Sequence, residues 1–138
     1  MSRAITLKED SPGRHGLRLA GRIAAGVLHE AIEQNEIIDI AELLQTDSSD
    51  VFALQVHGDS MIEDQIADGD YVVVRKTATA DAGQIVVALT DENEATLKRW
   101  YPEKDRIRLE PANSSMKPIY VDNATVLGVV VGVVRRVA

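Results

Sequence analysis

The feature that most constrains this chain is the alternation of short, β-branched apolar runs with Gly, Asp and Pro turn signals. Phe52 to Val56 alternates as a half-buried strand should, and Gly58-Asp59-Ser60 ends it with turn chemistry. Asp68-Gly69-Asp70 then leads into Tyr71-Val72-Val73-Val74, an unbroken apolar run suited to a buried strand. Asp81-Ala82-Gly83 precedes a strand at 84–89, and Asp91-Glu92-Asn93-Glu94 makes a hairpin connection into 95–101. Pro102 to Asp105 turns into a strand at 106–109, and Pro111 to Pro118 reads as a loop. Residues 125–137 supply the last strands, with Gly128 and Gly132 as bend or bulge sites. About seven short strands so spaced predict an all-β fold, compact, twisted and partly closed.

The first half of the chain is less regular. Residues 1–16 carry Ser11-Pro12-Gly13 and Gly16 among mixed charges and read as a linker ahead of one domain at 17–138. Residues 17–27 are apolar and rich in small side chains, which suits a segment that binds in a narrow site. From Leu28 to Leu44 the apolar spacing hints at a helical stripe, but Asn35 and the β-branched pair Ile37-Ile38 weaken it. Only a short helical turn near 41–44 is expected there.

With one Phe, one Trp and three Tyr in a chain 45% hydrophobic, the core must be aliphatic. The absence of Cys excludes a disulfide framework and thiolate zinc sites. His15, His29 and His57 show no metal-ligand spacing, so neither a metal nor a cofactor is expected. Net charge is −7 but unevenly placed: residues 1–22 carry +3 and residues 23–138 carry −10. A body this acidic repels phosphate, so nucleic-acid binding by it is not expected. The longest apolar stretch, Val126 to Val134, is interrupted by Gly128 and Gly132 and is far too short to span a bilayer as a helix. Lys8, Glu9 and Asp10 stand where a signal peptide needs apolar residues, so a cytoplasmic protein with no membrane partner is expected.

Two side chains carry candidate chemistry. Ser60 sits on a tight turn, where neighbouring backbone N–H groups can point at a developing oxyanion, although most turn serines only satisfy a backbone group. Lys98 lies in a strand whose alternation puts Thr96, Lys98 and Trp100 on one face. A buried lysine sheds its proton more easily and can serve as a general base, whereas the ordinary reading of Lys98-Arg99 is a solvated basic pair. His57 has no acid in evident register for a triad, and Glu63, Asp64, Asp68 and Asp70 read as a solvated acidic turn.

Taken together, four segments change this balance. Gly21-Arg22-Ile23-Ala24-Ala25-Gly26, Gly58-Asp59-Ser60-Met61-Ile62, Ala67 to Val74 and Ala95-Thr96-Leu97-Lys98-Arg99 resemble, in this order, the LexA repressor family. Pro111-Ala112-Asn113-Ser114 and Val126 to Val130 resemble that family's later loop and closing strands, so the likeness spans residues 17–137. It implies the fold shared with signal peptidases and a serine peptidase that cleaves itself. Ser60 matches the nucleophile, Lys98 the base, the N–H groups of Asp59 and Ser60 the oxyanion hole, and Ala25-Gly26 the scissile bond. Ile23 and Ala24 become anchors of the substrate segment.

The resemblance also implies a homodimer, stimulation by RecA filaments on single-stranded DNA, and inactivation of an SOS repressor of DNA-repair genes. Operator DNA would be read by an N-terminal winged helix-turn-helix that does not precede residue 17. Arg3-Ala4-Ile5-Thr6-Leu7 resembles the end of that domain's wing strand. The closing strands at 126–134 are expected to act as an edge available for dimer pairing. A UmuD-like accessory subunit of a translesion polymerase and a non-catalytic β interaction domain are the alternatives. A signal peptidase would need a membrane anchor.

Overall fold

The structure, a computed structural model, describes residues 16–24 and 27–138. It divides the chain into two units, one ending at Ser48 and the other running from Ser49 to Ala138. In the first unit, β1 (Leu17–Ala24) pairs antiparallel with β2 (Val27–Ile38), from Leu17 opposite Ile38 to Ala24 opposite Val27. The helical stripe suggested for 28–44 is therefore strand as far as Ile38. Ile37 and Ile38 are β-branched, and they take Arg18 and Leu17 as ladder partners. Asp39 then stops the strand: its backbone is extended and its carboxylate accepts the Glu42 N–H at 2.7 Å, capping helix α1 (Ile40–Leu43). The short helical turn was expected; the hairpin before it was not.

The second unit is a seven-stranded antiparallel sheet. Its strands are β3 (Val51–Gln55), β4 (Tyr71–Lys76), β5 (Ile85–Thr90), β6 (Ala95–Pro102), β7 (Ile107–Glu110), β8 (Ile119–Val121) and β9 (Ala124–Val134). They lie in the order β3-β4-β9-β5-β6-β7-β8. The all-β expectation holds, and the turns at Asp68-Gly69-Asp70, Asp81-Ala82-Gly83 and 91–94 fall between strands as read. Val72, Val73 and Val74 in β4 and Val86, Val87 and Ala88 in β5 are all buried, because these inner strands are covered on both faces. Two apolar clusters result, one around Val86, Trp100, Leu109 and Val126, the other around Met61, Ile66, Val72 and Val87. Among the described residues no helix is long and apolar enough to cross a membrane.

β9 corrects one expectation. It is no edge strand: it sits between β4 and β5, and Val126 and Val129 are buried in the core. Only its last residues, from Val130 onward, pair with β4 alone, leaving Val133 and Val134 exposed. Both glycines do mark bulges, Gly128 in the ladder to β5 and Gly132 in the ladder to β4. At Gly128 a Cβ would collide with Val74 and stand 2.7 Å from the Arg75 carbonyl oxygen.

Two stability outcomes follow from these contacts. Gly128→Ala should lower unfolding free energy by about 1–3 kcal/mol, the usual cost of forcing an extra carbon into a packed sheet, read as a lower urea midpoint at unchanged slope. Asp70, buried at the start of β4, accepts from Arg135 Nε at 2.8 Å and Nη2 at 2.7 Å. That guanidinium, aided by the Ala67 N–H, lowers the Asp70 pKa to about 2. The carboxylate therefore stabilises the fold above its ordinary range near pH 4 and loses that contribution as pH falls through about 2. Asp70→Asn should be less stable than the parent at neutral pH, with the gap in denaturation midpoints closing on acidification.

Candidate active site

Ser60 is held by a turn that the local sequence builds in three steps. Val56 extends the β3–β4 pairing, its N–H donating to the Asp70 carbonyl at 2.8 Å and its carbonyl accepting the Gly69 N–H at 2.8 Å. Gly58 then adopts φ +90°, a left-handed conformation that side chains resist, and its N–H is held by the Asp68 carboxylate at 2.7 Å. Beyond the corner, Met61 is 1% exposed and anchors the chain in the core before the short 3-10 turn Ile62–Asp64.

The loop after β7 clamps this turn from the other side. Ala112 N–H donates to the Ser60 carbonyl at 2.7 Å and Asn113 Nδ2 to the Asp59 carbonyl at 2.9 Å. Glu63 N–H donates to the Ala112 carbonyl at 2.7 Å, while the Glu63 carboxylate accepts the Ser114 N–H and hydroxyl at 2.7 and 2.8 Å. Those two bonds, the backbone one first, lower the Glu63 pKa. With both carbonyls at the corner engaged, the N–H groups of Asp59 and Ser60 find no acceptor among the described residues.

Lys98 meets this corner from β6, where it lies opposite Val86. It is 9% exposed, and its Nζ stands 3.3 Å from Ser60 Oγ and 2.8 Å from Thr96 Oγ1. Among the described residues no carboxylate pairs with it, and burial lowers its pKa from the ordinary lysine value. The solvated basic pair is thus not what the fold makes of Lys98-Arg99. Lys98 turns into a cleft of about 330 Å³ walled largely by Leu54, Val56, Val72, Val87 and Leu97, whereas Arg99 reaches Asp64. β6 pairs with β7 only from Arg99 onward, so within the second unit no strand pairs with that edge of residues 95–98.

The remaining candidates sort as follows. His57 lines the same cleft, but the hydroxyl of Ser60 meets Lys98. Glu63, Asp64, Asp68 and Asp70 do not form one solvated cluster, because each is bonded to a different group: Ser114, Arg99, the Gly58 N–H and Arg135. Among the described residues no cluster of His, Asp or Glu is placed to hold a metal ion. Ile23 and Ala24 lie on β1, opposite Leu28 and Val27. Ala25 and Gly26 fall outside the described residues. Sequence reading passed over the bond of Thr96 to Lys98, although period-two alternation had put both on one face, and the clamp by Ala112 and Asn113.

This fold and cleft define a class: an antiparallel β protein that presents a serine hydroxyl to a buried lysine amine with no carboxylate partner among the described residues. Its family follows from comparison, since residues 18–131 match the Peptidase S24-like family, and the chain belongs to it. Among curated proteins it is 51% identical over 118 residues to the LexA repressors of Staphylococcus aureus strains Newman, Mu50 and N315. The matched region is 84% of this chain and 57% of each relative, so the chain spans little more than half their length.

The buried lysine has a measurable cost. Because its folded pKa lies below its unfolded one, the unfolded chain binds more protons between those values, and stability rises with pH through that window. Lys98→Met keeps the apolar stem and removes the titration. It should be at least as stable as the parent at neutral pH and lose this advantage as pH is raised, in urea midpoints measured across the alkaline range.

Proposed function

We propose that this chain is the self-cleaving and dimerising part of a LexA-type SOS repressor, with Ser60 as nucleophile, Lys98 as base and Ala25-Gly26 as the scissile bond. The observation that carries the reading is the 3.3 Å approach of Lys98 Nζ to Ser60 Oγ inside an apolar cleft. The likeness to LexA repressors supports it and favours it over a UmuD-like subunit or a non-catalytic interaction domain.

The chemistry follows from the charge state of the amine. Neutral Lys98 takes the proton of the Ser60 hydroxyl as Oγ attacks the Ala25 carbonyl carbon. The new oxyanion is met by the N–H groups of Asp59 and Ser60, which have no acceptor among the described residues. Thr96 Oγ1 fixes the direction of the amine. As the C–N bond breaks, the Lys98 ammonium returns its proton to the Gly26 nitrogen, and a water activated by Lys98 then hydrolyses the Ser60 ester. No cofactor takes part.

Ala24, Ala25 and Gly26 are small enough to enter the cleft, with Ile23 as apolar anchor and the edge of β6 at residues 95–98 as a ladder partner for the extended segment. Because substrate and site share one chain, tethering supplies the effective concentration. Docking covers what remains exposed of Lys98, so substrate binding and base activation are coupled. RecA filaments on single-stranded DNA would act by favouring the docked state. In this reading the protein is a cytoplasmic homodimer whose operator contacts belong to a winged helix-turn-helix in the part of the relatives that this chain does not span.

The test is incubation of the purified chain across pH 7 to 10, followed by gel and mass analysis. Fragments 1–25 and 26–138 are expected, at a rate that climbs about tenfold per pH unit until the Lys98 amine is neutral and then levels off. Ser60→Ala and Lys98→Ala should each slow cleavage by at least about a hundredfold while the fold persists. A folded parent chain that stays intact throughout would refute the reading.

A further inference from the structure

Lys98 and Arg99 are consecutive residues of β6, so their side chains leave the strand on opposite sides. Both nevertheless reach the same short segment: Lys98 Nζ meets Ser60 Oγ, and Arg99 Nε donates to the Asp64 carboxylate at 2.9 Å. Resting on the proposed Ser60–Lys98 chemistry, we infer that the Arg99–Asp64 ion pair holds the Ser60 turn in register with the strand that carries Lys98, which makes Arg99 and Asp64 positioning residues.

Three observations carry this. First, the contact between Ser60 and Lys98 is 3.3 Å, at the long end for a hydrogen bond, and too weak to hold a turn by itself. The clamp by Ala112 and Asn113 ties the turn to the loop after β7, not to β6. Among the described residues the Arg99–Asp64 pair is thus the only charged fastening between the Ser60–Asp64 segment and β6.

Second, Arg99 is itself braced. Its Nη1 donates to the Gly83 carbonyl, in the turn that is tied to β6 by Gly83 N–H to the Trp100 carbonyl at 2.7 Å and Trp100 N–H to the Gln84 carbonyl at 2.9 Å. A guanidinium held at one nitrogen loses little further freedom when it bonds at another. Third, the two side chains are 35% and 25% exposed, so the pair is partly shielded from solvent.

Arg99 and Asp64 touch no reacting atom. Their effect is on distance: Met61 and the loop at 112–114 keep the turn on the core, the ion pair sets its register against β6, and a displacement near 1 Å between nucleophile and base can slow reaction by about a hundredfold. The experiment compares the parent chain with Asp64→Asn, Asp64→Glu and Arg99→Lys. Self-cleavage is read at the alkaline plateau, and amide hydrogen exchange over residues 59–64 is read in the same proteins.

Asp64→Asn should cut the plateau rate by about ten- to a hundredfold and speed exchange at residues 59–64, while the rest of the sheet stays protected. Asp64→Glu, which keeps the carboxylate, should recover most of the rate. Arg99→Lys, which keeps the charge but not the fork, should recover less. Parental rates in Asp64→Asn, a loss in Asp64→Glu as deep as in Asp64→Asn, or unchanged exchange over residues 59–64 would each overturn the inference. If the parent itself fails to cleave, the functional reading falls, and the exchange comparison still decides whether the pair fastens the turn.

Discussion

A largely buried lysine amine with no carboxylate partner among the described residues is the constraint around which the second unit is organised. Such a group costs free energy in its charged form, and proteins rarely bury one unpaired. Here the cost is confined to one atom. The Lys98 stem runs among apolar side chains, and its Nζ finds two hydroxyls, from Thr96 and Ser60, in place of a carboxylate. Hydroxyls satisfy the amine in either protonation state. A carboxylate would have fixed it as an ammonium.

Holding that geometry needs rigidity from two directions. β6 is an inner strand, laddered to β5 along residues 95–99 and to β7 from Arg99 onward, so the lysine side is set by the sheet. The serine side is a turn, and turns are the mobile parts of a fold. It is fixed by Gly58 and Asp68 at its entry, Met61 in the core, and the loop at 112–114 across its back. The bonds from that loop go to carbonyl oxygens. They stiffen the corner and leave the N–H groups of Asp59 and Ser60 without an acceptor among the described residues.

Much of this architecture was legible in sequence because turn chemistry is local. Asp68-Gly69-Asp70, Asp81-Ala82-Gly83 and the two glycines of β9 announced themselves through residue types that suit turns and bulges. Strand neighbours are not local. Nothing in Val126 to Val134 says that it lies between β4 and β5, so an inner strand was read as an edge. The hairpin of β1 and β2 was missed because its second strand mixes polar and apolar residues without clean alternation. At the site, pattern alone gave a turn serine and a surface lysine. Only the resemblance of several segments in order set them together, since the 3.3 Å contact joins residues 38 apart. The tie of Arg99 to Asp64 had no local signal at all.

The acidic character of the chain sharpens the problem that the site solves. Residues 23–138 carry an excess of ten negative charges, and four carboxylates lie within ten residues after Ser60. Any one of them reaching Lys98 would raise its pKa. Each is instead committed: Glu63 to Ser114, Asp64 to Arg99, Asp68 to the Gly58 N–H and Asp70 to Arg135. These bonds build the turn and at the same time keep negative charge away from the amine. The same residues that shape the Ser60 corner are thereby kept from pairing with the Lys98 amine, which favours its uncharged form.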